Sequence, residues 1–82
     1  MRLPPAENKD TSYQKAVGRV IKELREREGM SRNDFAELME VNYSTIQRVE
    51  SGTWLSFSFL ERIIVALGYD HKIFTLRIHE RL

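Results

Sequence analysis

The sequence predicts an all-α fold: a compact domain of four main helices, followed by a short C-terminal β-strand paired across a dimer. Three observations lead there. Apolar residues recur at helical spacing between Val17 and Leu67. Glycine follows the apolar stretches at Gly29, Gly52 and Gly68, where a left-handed residue ends a helix at low cost. From Ile73 the pattern switches to alternation, with Phe74, Leu76 and Ile78 on one side, which reads as a strand.

Each element has its own signals. The stretch 1–10 contains Pro4-Pro5 and little apolar content, and reads as a flexible arm ahead of a domain over 11–69 and a tail over 70–82. Helix 1 is expected over about Ser12–Glu28, capped by Thr11 or Ser12, with Val17, Val20, Ile21 and Leu24 as its stripe. Helix 2 starts after Ser31, where Asp34 suits the positive end of the helix and roughly completes a capping box. Phe35, Leu38 and Met39 supply its apolar side, and it ends near Met39 or Glu40. Helix 3 follows at once, with Asn42 as cap and Tyr43–Glu50 as body. Helix 4, capped by Ser56, covers about Phe57–Leu67 with Leu60, Ile63, Ile64 and Leu67 as its stripe. An isolated strand in the tail cannot satisfy its own backbone, so pairing with a second copy is expected there.

Bulk properties narrow the function. With 82 residues the chain forms one domain whose core is small, and a second subunit is the natural source of extra burial. There is no cysteine, which excludes disulfides and thiolate metal sites. No apolar run approaches membrane-spanning length and Met1–Asp10 lacks a signal-peptide stretch, so a cytoplasmic protein with no membrane contact is expected. His71 and His79 have no accompanying ligand set, so no metal is expected. No phosphate-cradling glycine motif or nucleophile–base pair is present, so neither an enzyme nor a cofactor is expected. The net charge of +1, from 13 basic and 12 acidic side chains, requires any nucleic-acid-binding charge to be concentrated on one face.

Helix 3 offers such a face. At about 100° per residue, Ile46, Val49 and Asn42 fall on one side and Ser44, Gln47 and Arg48 on the other, with Tyr43 and Thr45 on the flanks. Two short helices joined by a tight turn, the second presenting hydrogen-bonding groups and no outward carboxylate, suit a DNA major groove.

From Val17 to Gly68 the sequence resembles the Xre family, the lambda-repressor-like and Cro-like helix-turn-helix proteins. The matching residues include Leu24-Arg25, Gly29-Met30-Ser31, Phe35-Ala36-Glu37-Leu38, Val41 to Gly52 and Ala66-Leu67-Gly68. The resemblance implies an internal ion pair between Arg25 and Glu50. It implies base reading by Tyr43, Ser44, Gln47 and Arg48, and phosphate contacts from Arg32, Asn42, Thr45, Ser51 and Thr53. Arg48 suits either the fork-to-guanine contact or a phosphate, and Gln47 either adenine or solvent. The family usually has glycine where Glu40 stands, so a left-handed, mildly strained Glu40 is expected.

In the aromatic cluster, Phe57 is expected in the core, and Phe59, off the helix 4 stripe, at a dimer contact together with Phe74, Leu76 and Ile78. Trp54 suits either the DNA backbone or a second subunit. The functional expectation is a homodimeric, sequence-specific transcriptional regulator, a repressor on a near-palindromic double-stranded operator. The strand-like tail favours an antitoxin-like member with a toxin as protein partner. The rival is a protein-interaction module that kept the fold without DNA binding, favoured by the near-neutral charge, Glu40 and the aromatic cluster.

Overall fold

The computed structural model describes residues 12–82; the arm expected at 1–10 and the cap expected at Thr11 lie outside them. Five helices follow in order: α1 (Ser12–Arg27), α2 (Arg32–Met39), α3 (Tyr43–Ser51), α4 (Phe57–Leu67) and α5 (His71–Glu80). No helix among the described residues is long and apolar enough to cross a membrane.

The central element is α1, which packs against α3, α4 and α5. Val17, Val20, Ile21 and Leu24 are almost wholly buried, so the apolar stripe read from the sequence is the face that the other helices cover. One further residue sets how closely they approach. A Cβ on Gly18 would lie 2.5 Å from the Glu50 carbonyl oxygen and 2.6 Å from that of Val49. The end of α3 therefore rests on the backbone of α1 where a side chain is missing. Gly52, just after α3, makes a similar approach to Lys15 of α1.

Local chemistry ends and starts each helix. Gly29 is left-handed at φ 74°, and the Met30 N–H donates back to the Arg25 carbonyl at 3.1 Å. Ser31 Oγ accepts from the Asp34 N–H, and the Asp34 carboxylate accepts from the Ser31 N–H, both at 3.0 Å. This reciprocal box satisfies two donors that the first turn of α2 leaves open. Those hydrogen bonds hold the Asp34 carboxyl below its ordinary range. Glu40 is left-handed, with φ 58° and ψ 44°, and its N–H donates to carbonyls of the preceding turn. It is the one non-glycine residue with positive φ among the described residues. The turn is braced from α4, where Arg62 Nη2 donates to the Met39 carbonyl at 2.8 Å. The Arg62 guanidinium also sits 5.5 Å from the centre of the Phe59 ring. Ser56 Oγ caps α4 by accepting from the Phe59 N–H at 3.3 Å.

The tail corrects the expected strand: residues 71–80 are helical, and no strand occurs among the described residues. Asp70 caps α5 by accepting from the Lys72 N–H at 2.7 Å. Phe74 and Ile78 share one side of the alternation, but they are also four residues apart, a spacing that stacks side chains on one helix face. Both are 1% exposed, and α5 packs on α1. Leu76, between them, points outward at 64% exposure. Arg81 closes the arrangement by pairing with the Glu23 carboxylate of α1, Nε to Oε1 at 2.8 Å and Nη2 to Oε2 at 2.5 Å. The backbone is thus satisfied within the helix and the apolar residues within the same chain, so no partner strand is needed.

The aromatic cluster is also corrected. Phe59 is buried, with Trp54 packed against it at 5.7 Å between ring centres, whereas Phe57 is 76% exposed. Phe59 lies four residues before Ile63, a spacing that puts both on the buried face of α4, and Trp54 of the preceding loop packs over it. Of the four residues expected at the dimer contact, Phe59, Phe74 and Ile78 are core, and Leu76 alone is exposed.

Candidate nucleic-acid interface

The site is α3 and the flank of α1 beside it. Ile46 and Val49 are held in the core and fix the rotation of α3 about its axis. Their burial turns Ser44, Gln47 and Arg48 outward, all exposed, with Tyr43 40% exposed on one edge and Thr45 half-buried. Asn42 occupies the cap position in extended conformation but makes no side-chain cap bond, so its exposed amide is not spent on α3.

At the other end, the Arg48 carbonyl accepts from the Gly52 N–H and gathers four further donors. They are the backbone N–H groups of Thr53 at 3.0 Å and Trp54 at 3.3 Å, and the hydroxyls of Ser51 at 3.1 Å and Thr53 at 3.2 Å. Ser51 and Thr53 hydroxyls are also 3.0 Å apart. Both side chains therefore finish α3, while remaining exposed.

Behind this surface lies a buried charge cluster. Arg25 Nε donates to Glu50 Oε2 at 2.6 Å and its Nη2 to Oε1 at 3.1 Å, while Nη1 donates to the Met30 carbonyl at 2.8 Å. The Arg25 and Glu50 side chains are 6% and 2% exposed. Removing one partner from such a pair would strand the other at a cost of about 3–5 kcal/mol. The Glu50 carboxylate also accepts from Arg32 Nε at 3.0 Å. Arg32 is part-exposed, and the Tyr43 hydroxyl and the Glu50 carboxylate beside it hold its guanidinium above its ordinary range. Arg32, expected to be spent on phosphate, is thus tied inward as well.

The electrostatics follow. A shallow cleft beside α3 is lined by Lys22, Arg32, Gln47, Arg48 and Glu50. Its one carboxylate is Glu50, which two guanidiniums already neutralise. An adjoining cleft shares Lys22 and Arg32 and adds Tyr43 and Glu26. A chain of net charge +1 therefore concentrates cationic groups where α3 faces outward. The sequence reading missed Lys22, although its place between Gly18 and Arg25 at helical spacing puts it on the α3-facing side of α1. Among the described residues, no group of three or more His, Asp or Glu side chains is placed to hold a metal.

Residues 16–72 match the family model for the helix-turn-helix domain. No curated protein matches the chain. The chain is similar to solved structures, among them two of one controller protein. One is the restriction-modification controller protein C.Esp1396I as a tetramer in complex with its natural 35-base-pair operator, at 24% identity over 84% of this chain and 92% of that one, with a TM-score of 0.74. The other is the wild-type form of that controller, at 24% identity over 84% of this chain and 90% of that one, with a TM-score of 0.75. At this identity the likeness concerns the fold. The chain belongs to the helix-turn-helix domain family.

Proposed function

We propose that this helix-turn-helix domain is a sequence-specific DNA-binding regulator, a repressor acting as a homodimer with α3 in the major groove of a near-palindromic operator. The observation that carries the reading is the division of α3. Ile46, Val49 and the neutralised Glu50 face inward, while Ser44, Gln47 and Arg48 are presented together beside Lys22 and Arg32. A groove edge of donors and acceptors flanked by phosphates is the partner such a surface complements. That C.Esp1396I binds an operator as a tetramer is consistent with the reading.

Base reading falls to Arg48, Gln47, Ser44 and Tyr43. Asn42, Thr45, Ser51 and Thr53 remain candidates for phosphate. The dimer contact moves from the tail to α4, whose outward side exposes Phe57 and Val65, with Leu38 of α2 beside Val65. With the strand gone, the ground for an antitoxin-like member with a toxin partner is gone too, and that reading is dropped.

The test is selection of bound sites from a random duplex pool, followed by Arg48→Ala measured on the selected and a scrambled duplex. The variant should melt like the wild type and lose on the order of tenfold or more of its preference. An unchanged ratio removes Arg48 from base reading. Absence of binding to any duplex even at low salt, where phosphate attraction is strongest, favours the protein-interaction rival.

A further inference from the structure

A second cationic cluster lies away from α3, along the seam where α5 packs on α1. Arg81 bonds both oxygens of Glu23, which fixes how the two helices meet there. Each member of that pair has an arginine one turn before it on its own helix. Arg19 precedes Glu23 by four residues and Arg77 precedes Arg81 by four, so each arginine shares a helix edge with its neighbour in the pair. Gly18 approaches α3, and Lys22 lines the cleft beside it. Arg19 and Glu23 each lie one residue further on, so their edge is turned about 100° around α1 from the reading site. On α5, the edge borders the core residues Phe74 and Ile78.

Arg77 carries the argument. Its Nε is buried and has no hydrogen-bond partner among the described residues. A buried donor left unpaired costs free energy, and native folds normally provide it with an acceptor. The carboxylate of the seam, Glu23, has both oxygens bonded to Arg81. That bond first, and the charges of Arg81, Arg77 and Arg19 after it, hold the Glu23 carboxyl below its ordinary range. Three guanidiniums against Glu23 leave an excess of two positive charges, or one when the exposed Glu80 beside Arg81 is counted. A phosphate group carries about one to two negative charges, and its oxygens match the planar fork of a guanidinium.

We infer that the α1–α5 seam is a phosphate-binding site formed by Arg77, Arg19 and Arg81. Arg77 supplies the donor that the fold leaves unpaired, and Arg19, exposed on α1, meets the phosphate from the other helix. Arg81 is oriented by Glu23 and adds its charge beside them. The phosphate belongs either to a free phosphate-bearing molecule or to a nucleic-acid backbone, and the test separates these sources.

Inorganic phosphate is titrated into the full chain at constant ionic strength, with sodium chloride as the control, and the arginine Nε–H signals are followed by NMR. The Arg77 signal should shift saturably with phosphate and not with chloride. The Arg25 signal should stay, because its donors are already spent on Glu50 and Met30. In calorimetry, Arg77→Gln and Arg19→Gln should each weaken phosphate binding by on the order of tenfold. Arg19 fills no part of the core, so its variant tests the site even if Arg77→Gln fails to fold. Binding to duplex DNA over a salt series in phosphate-free buffer, for wild type and both variants, then identifies the source. A slope of log affinity against log salt flattened by about 0.9 in the variants assigns the site to the DNA backbone. An Arg77 shift with an unchanged slope, or with no duplex bound, assigns it to a free phosphate-bearing ligand. The titration contains no DNA, so its result is independent of the function proposed above. No phosphate shift at Arg77, with the slope unchanged or no duplex bound, overturns the inference. So does a shift that chloride reproduces, or undiminished phosphate affinity in the variants.

Discussion

Gly18→Ala sets two physical effects against each other with opposite signs. Within α1, alanine is the better helix former by about 1 kcal/mol, so propensity alone predicts a gain. The structure predicts a loss. An added Cβ would sit 2.5 Å from the Glu50 carbonyl oxygen and must reach about 3.4 Å for ordinary contact, so α1 and the end of α3 must part by up to 0.9 Å. The atoms it meets are main chain, which cannot rotate away as a side chain would. Overpacking of this kind costs about 1–3 kcal/mol, and a clash against two carbonyls belongs at the upper end. Subtracting the propensity gain leaves a net loss of about 2 kcal/mol. The loss grows if the parting stretches the 2.6 Å bond between Arg25 and Glu50. In a domain of this size a 2 kcal/mol loss lowers the melting temperature by about 8–16 °C. Urea unfolding followed by circular dichroism, with the slope compared between variants, is the assay. A midpoint equal to or above that of wild type would refute the close approach of α1 and α3.

The other predictions concern the turn, the tail, pH and the dimer face. Glu40→Gly should be neutral or stabilise by up to about 1 kcal/mol, because glycine removes the left-handed strain; a lowered melting temperature would mean that Glu40 is held there by something other than turn geometry. Deleting the chain after Tyr69 removes Phe74 and Ile78 from the core, at about 1.5–3 kcal/mol each, so the truncated protein should lose cooperative melting; a folded monomer would show α5 to be an accessory. The Arg81 hydrogen bond holds the Glu23 carboxyl below its ordinary range, so its contribution is complete above the unfolded carboxylate range and fades as pH falls through the folded value. Protection of α5 amides in hydrogen exchange should therefore drop below about pH 4, and drop less in Glu23→Gln, which starts without the ion pair. On the proposed α4 dimer contact, Val65→Glu should shift sedimentation toward monomer without lowering helix content, and an unchanged dimer would place the contact elsewhere.

The first four helices were legible because their signals are local. Gly29, Gly52 and Gly68 each follow a helix, and the Ser31–Asp34 pair lies within three residues of itself. The inward and outward sides of α3 were legible for the same reason, since Ile46 and Val49 fix its rotation. What escaped depends on partners distant in sequence. Gly18 looks like any helical glycine until the carbonyls of Val49 and Glu50 are set against it. Arg62 gives no sign that it will cap α2, nor Arg81 that it will reach Glu23. The tail misled for a different reason. Phe74 and Ile78 satisfy both a period of two and a spacing of four, and the exposed Leu76 tipped the pattern toward alternation. Arg32 carried a phosphate role by analogy, while its tie to Glu50 exists only once α2 and α3 are folded together.

The separation of duties on α3 has a consequence for how this scaffold can change over generations. Ser44, Gln47 and Arg48 are exposed, and their side chains fill no part of the core. Substitutions there carry little penalty in folding, usually within about ±0.5 kcal/mol, so the target site can drift while the domain stays intact. Tyr43 is placed differently: it lines a cleft with Arg32, which is bonded to the carboxylate that fastens α3 to α1. On the proposed DNA-reading function, a lineage altering its target would find Ser44, Gln47 and Arg48 adjustable without loss of the fold.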